Sequence, residues 1–126
     1  MTIQYTTTAH TNVQFIVTKS ICNANGYLLP HILFNRIKTI ASYPVKELYS
    51  GPIPDISDYT FKMKKNACIK DKITVQAQLL KKHPEKFTVN VWVTKKKKDS
   101  KVQETLASAL LTFSLSEKNT SYPLVS

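Results

Sequence analysis

An α+β fold, with one helix lying on an antiparallel sheet, is what this 126-residue sequence predicts. Three observations lead there. One segment in the first third carries apolar residues at three- to four-residue spacing, the period of a helix. Three segments in the second half alternate apolar and polar residues, the period of a half-buried strand. The connections between those three are short and polar, which makes the strands antiparallel neighbours.

Residues 12–21 are rich in β-formers and read as the first strand. Asn23-Ala24-Asn25-Gly26 breaks it, because Asn and Gly tolerate positive φ and favour a tight turn. Residues 28–42 read as a helix, with Leu29, Ile32, Leu33, Arg36, Ile37 and Ile40 in helical spacing. Pro30 is tolerable only in the first turn, so the helix starts near residue 28 or 29. Pro44 is expected to end or kink it, with a further short turn over 45–49. Ser50 to Pro54 is a connection, and residues 59–66 form the second strand.

The later strands are more regular. In 72–81, Ile73, Val75, Ala77 and Leu79 share a face. In 86–94, Phe87, Val89, Val91 and Val93 do, and in 103–115, Ala107, Ala109, Leu111, Phe113 and Leu115 do. Trp92 lies on the opposite face from Phe87 and Val93, as if covering an interface or a second core. The whole of 1–126 reads as a single domain, with no repeat or Gly/Ser linker dividing it. One helix is too small to cover the sheet, so a homodimer or larger homo-oligomer is expected.

The hydrophobic fraction of 42% argues against disorder. No apolar run approaches the roughly 20 residues that span a bilayer. The start, Met1-Thr2-Ile3-Gln4-Tyr5, lacks the pattern of a secretory signal, and a cytoplasmic protein is the expectation. Cys22 and Cys68 have no close metal-ligand spacing and are expected as free thiols, with no metal site. The net charge of +10 favours polyanions: nucleic acid, anionic membrane or a phosphorylated ligand. Arg36 is the single arginine. Base-edge readout favours arginine, so sequence-specific nucleic-acid binding is weakly supported, whereas lysines still serve as point charges for phosphate.

Some segments resemble a known family. Cys22-Asn23-Ala24-Asn25-Gly26-Tyr27-Leu28-Leu29 resembles the Asn-x-Asn-Gly loop that leads into the central helix of hotdog acyl-CoA thioesterases. Lys70-Asp71-Lys72-Ile73-Thr74-Val75 resembles their Gly-Asp-x-Val segment. Residues 87–93 and 106–113 resemble their last two strands, and the likeness spans roughly 12–116. It implies a hotdog fold, a curved antiparallel sheet wrapped around one helix. It also implies an acyl-CoA or acyl-carrier thioester as ligand, with no cofactor besides the coenzyme A moiety of the substrate.

The departures bear on catalysis. The family begins its helix with two glycines, whose N–H groups help hold the thioester carbonyl. Pro30 and His31 stand there in this chain, and Pro30 has no N–H to donate. The family's acidic helix residue aligns with Lys38. A dehydratase-like branch of the same fold, loosely resembled by Leu29-Pro30-His31-Ile32-Leu33, would place its acid at Arg36. No Asp or Glu occurs from residue 1 to residue 46.

The resemblance makes Asn23 a residue that orients water or the thioester carbonyl. As a residue type in a turn, it could equally serve its own backbone. Asn25 and Gly26 shape the same loop and border the ligand. His31, near a helix N-terminus that disfavours its protonated form, could act as a base. Arg36 could polarise a carbonyl or pair with Asp55, Asp58 or Asp71. Lys38 lies on the same helix as a candidate for ligand binding. Lys95, Lys96 and Lys97, with Lys98, read either as a solvated hairpin tip or as a clamp for coenzyme A phosphates. Lys64, Lys65, Lys81 and Lys82 are further phosphate candidates, and Cys22 lacks an evident activating base.

The functional expectation is thioester binding with possible hydrolysis. One alternative is an inactive hotdog subunit with a sensing or assembly role, supported by the missing acid. A lysine-driven nucleic-acid binder is the other.

Overall fold

A computed structural model describes residues 9–49, 51–82, 86–96 and 102–114. The elements are β1 (His10–Ile16), α1 (Pro30–Leu48), β2 (Asp55–Met63), β3 (Lys72–Lys82), β4 (Lys86–Lys96) and β5 (Gln103–Ser114), with a single 3-10 turn over Lys19–Ile21. The five strands form one antiparallel sheet in the order β1-β3-β4-β5-β2. Among the described residues β1 and β2 are therefore the two edges, and the consecutive strands β3, β4 and β5 form its centre.

The alternating pattern predicted for the centre is the observed one. Ile73, Val75, Ala77 and Leu79 of β3 are buried, as are Phe87, Val89, Val91 and Val93 of β4. Ala107, Ala109, Leu111 and Phe113 complete the layer from β5, while Leu115 lies outside the described residues. Register shifts interrupt the ladders at Ile56/Asp58, Leu79/Lys81 and Val93/Thr94. Such bulges bend and twist a sheet, which lets it wrap around a helix.

α1 fills that concavity. Leu33, Ile37, Ile40, Ala41 and Val45 are buried beneath it. Its most extensive packing is on β3. Leu29 is the extended residue before the first turn and Pro30 opens the helix, where a missing N–H breaks no hydrogen bond.

Three boundaries differ from those expected. β1 ends at Ile16, and the backbone over 19–21 turns into a 3-10 helix instead of continuing as strand. Val17 nevertheless stays tied to the sheet, donating to the Asp71 carbonyl at 2.9 Å and accepting from Lys70 N–H at 2.7 Å. β2 begins four residues early, at Asp55, and ends at Met63. The helix does not stop at Pro44; it continues to Leu48, with Tyr49 N–H closing on Val45 C=O at 2.9 Å. Pro44 costs one hydrogen bond to Ile40 C=O. Burial of Pro44 itself and of Val45 holds that turn against the core. No helix among the described residues is long and apolar enough to cross a membrane.

Candidate functional site

The loop before α1 is built by Asn23. Its side-chain Oδ1 accepts from Asn25 N–H at 2.9 Å and from Tyr27 N–H at 3.1 Å. Its backbone N–H donates to Tyr27 C=O at 2.8 Å, and its C=O accepts from Gly26 N–H at 3.0 Å. Gly26 closes the turn at φ +84°, a conformation that a side chain disfavours. Asn23 therefore has a structural duty, and its exposed amide Nδ2 is the group able to meet a ligand. Asn25 is exposed on the same turn.

A second loop holds the first in place. Ile69 N–H donates to Gly26 C=O at 2.9 Å, and Leu28 N–H to Ala67 C=O at 2.9 Å. The carboxylate of Asp71 organises this second loop, accepting from Cys68 N–H at 2.8 Å and from Lys95 Nζ at 3.0 Å. Lys70 reaches φ +78° beside it. The hydrogen bond to Asp71 raises the Lys95 pKa above the ordinary 10.5 of a lysine, against a smaller opposing effect of burial. Asp71 is thus the partner of Lys95, and the ammonium is engaged within the fold. Lys96 is exposed, and Lys97 and Lys98 lie outside the described residues. Lys64 is exposed, and Lys65 pairs with Glu104; the side chains of Lys81 and Lys82 lie outside the described residues. Cys22 and Cys68 are half-buried free thiols.

On α1 the candidate residues separate into two groups. Each helical residue turns the chain by about 100°. His31 and Lys38 are about two turns apart and share a flank, whereas Arg36 and Lys38 are displaced by roughly 200°. The Lys38 flank looks toward β2. Lys38 Nζ stands 5.3 Å from the Phe34 ring, and Phe34 stacks on Tyr59 and Phe61 with centroid separations of 4.9 and 5.1 Å. His31 is exposed in the first turn. His31 is the second residue of the helix that the Asn23 loop leads into.

The Arg36 flank looks toward β1. The guanidinium carbon lies 4.5 Å from the centroid of the Phe15 ring. Among the described residues, no carboxylate is within ion-pairing distance of it. Arg36 lines a groove of about 410 Å³ between α1 and β1, with Val13, Phe15, Ile32, Asn35, Thr39, Ile40 and Tyr43. Sequence reasoning had Arg36 but not the groove. Ile32, Arg36, Thr39 and Tyr43 do recur at helical spacing as a second stripe, but β1 as the opposite wall is visible only in three dimensions. Among the described residues no three His, Cys, Asp or Glu side chains gather as a metal site.

No protein-family model and no curated relative matches the chain. Solved structures match along most of it. An acyl-CoA hydrolase from Staphylococcus aureus, solved with butyryl coenzyme A, coenzyme A and coenzyme A disulfide, is 14% identical. It superposes with a TM-score of 0.78 over 84% of this chain, which spans 65% of the hydrolase. Zebra fish thioesterase superfamily member 2 is 19% identical, with a TM-score of 0.76 over 85% of this chain and 75% of its own. A hexameric thioesterase from Yersinia pestis is 18% identical, with a TM-score of 0.72 over 81% and 83% of the two chains. The chain has the hotdog fold, the fold of these acyl-CoA hydrolases and thioesterases.

Proposed function

We propose that this hotdog domain binds a coenzyme A or acyl-carrier thioester at the start of α1, on the flank that carries His31 and Lys38. The observation behind this is the Asn23–Gly26 turn. It is fixed by two hydrogen bonds within itself and two between Asn23 and Tyr27, and set at the start of the helix, in a fold shared with acyl-CoA hydrolases. In this reading Asn23 Nδ2 donates to the thioester carbonyl, and Asn25 and Gly26 border the ligand. Lys38 and the exposed Lys96 supply positive charge for the phosphates.

Hydrolysis would proceed by attack of water on the thioester carbonyl, with His31 as the proton acceptor. The helix N-terminus favours the developing oxyanion, although Pro30 removes one of its donors. Lys38 stands where the resemblance expects a carboxylate. Binding is therefore better supported than rapid turnover.

Lys38 also favours a second reading, an inactive subunit that senses ligand or serves assembly with copies of itself. Thermal shift with coenzyme A and hydrolysis assays over a series of acyl-CoA chain lengths separate the two. Stabilisation by coenzyme A with turnover that falls in Asn23→Asp and His31→Ala supports the enzyme. Stabilisation without turnover supports the sensor. Neither stabilisation nor turnover with any thioester rejects thioester binding.

A further inference from the structure

The groove on the β1 side of α1 is separate from the thioester flank, and the reading just given does not use it. Its chemistry is specific. Val13, Phe15, Ile32 and Ile40 make the walls apolar, and its volume of about 410 Å³ falls in the range of small-ligand sites. Among the described residues Arg36 is the one charged member of its lining. Arg36 is partly buried, its guanidinium carbon lies 4.5 Å from the Phe15 ring centroid, and it has no carboxylate partner among the described residues.

A partly buried cation without a counter-ion is an unfavourable arrangement. The contact with Phe15 offsets part of that cost. It does not satisfy the guanidinium N–H donors, which form a planar fork that matches a carboxylate. Among the neighbouring polar groups, the Thr39 hydroxyl already donates to Asn35 C=O at 3.2 Å. With one cation and no lysine among the described lining residues, the groove matches a singly charged head group better than a phosphate dianion.

We propose that this groove binds an unbranched aliphatic carboxylate, with Arg36 holding the carboxylate in a bidentate pair and the apolar walls holding the chain. The site gives the protein a means of binding a free fatty acid whether or not it acts on thioesters.

The test is calorimetric titration of the full chain with decanoate, decanol and decyl phosphate, with methyl chemical shifts to locate the ligand. Decanoate should bind, and decanol should bind on the order of tenfold more weakly or worse, the effect of losing a charged hydrogen-bond pair. Arg36→Gln should weaken decanoate by a similar factor and leave decanol unchanged. Arg36→Lys, which keeps the charge but loses the fork, should fall between. Shifts should centre on Val13, Ile32 and Ile40. Equal affinity for decanoate and decanol, tighter binding of decyl phosphate, shifts confined to the Lys38 flank, or no binding at all would each overturn the proposal. Loss of decanoate binding on dilution, in step with dissociation into monomers, would also overturn it by making the groove a product of assembly.

Discussion

At the scale of single residues, the loop before α1 separates structural from chemical duty. Asn23 Oδ1 holds two backbone N–H groups, so Asn23→Ala should lower stability by about 1 kcal/mol in urea melts, water replacing part of the loss at this exposed site. Asn23→Asp keeps the acceptor and should remain near wild type in the same melts, while removing the amide donor assigned to the ligand. At Gly26 a Cβ would meet only Ile69 Cγ2, at 3.8 Å, so Gly26→Ala tests φ +84° without a clash. About 1 kcal/mol should be lost. The Lys95–Asp71 pair makes a prediction in pH. Because the Lys95 pKa is raised in the folded protein, its contribution is fully present below about 10.5 and disappears as pH rises through the higher folded value. Urea melts at stepped alkaline pH should show that decline, and Asp71→Asn should flatten it while still accepting from Cys68 N–H.

At the scale of elements, α1 is held by its buried stripe more than by its ends. Its N-cap residue, Leu29, makes no side-chain cap hydrogen bond, no acid lies in its first turn, and Pro44 interrupts its ladder. The stripe of Leu33, Ile37, Ala41 and Val45 has to compensate. Ile37→Ala should therefore cost about 2–5 kcal/mol, as truncations in close-packed cores do. Ile16→Ala, at a strand end where the side chain is 57% exposed, should change stability by under about 0.5 kcal/mol. Parallel chemical denaturation of the two variants makes the comparison. The same stripe explains why the expected stop at Pro44 fails. Proline removes one hydrogen bond, but the core contacts of the following turn outweigh it, and those contacts lie in other segments of the chain.

At the scale of the whole molecule, the two edges of the sheet differ. β1 faces the Arg36 groove. β2 carries Tyr59, 54% exposed, beside Phe61, an aromatic surface that Phe34 of the helix covers only in part. A second copy is the proposed cover. The chain should sediment as a dimer or larger at micromolar concentration, and Tyr59→Asp should shift it toward monomer with its secondary structure intact. Sedimentation of a wild-type monomer at that concentration would rule out this use of the β2 edge.

Much of the fold was legible along the chain. Alternation in β3, β4 and β5 determined most of the residues that face inward, because strand side chains have period two; it breaks where Thr94 and Leu106 are buried beside Val93 and Ala107, at the register shift. The helix start followed from Pro30, and the turn from Asn23 and Gly26, since these depend on the conformational preferences of a few neighbouring residues. The site was legible only in part. Asn23, His31, Arg36 and Lys38 could be named, but not what each of them faces. Tertiary structure decided that Arg36 faces β1 and Lys38 faces β2, and that Lys95 belongs to Asp71. Those outcomes rest on contacts between segments far apart in sequence. Periodicity assigns a residue to a face of its own element, and only packing determines what stands opposite.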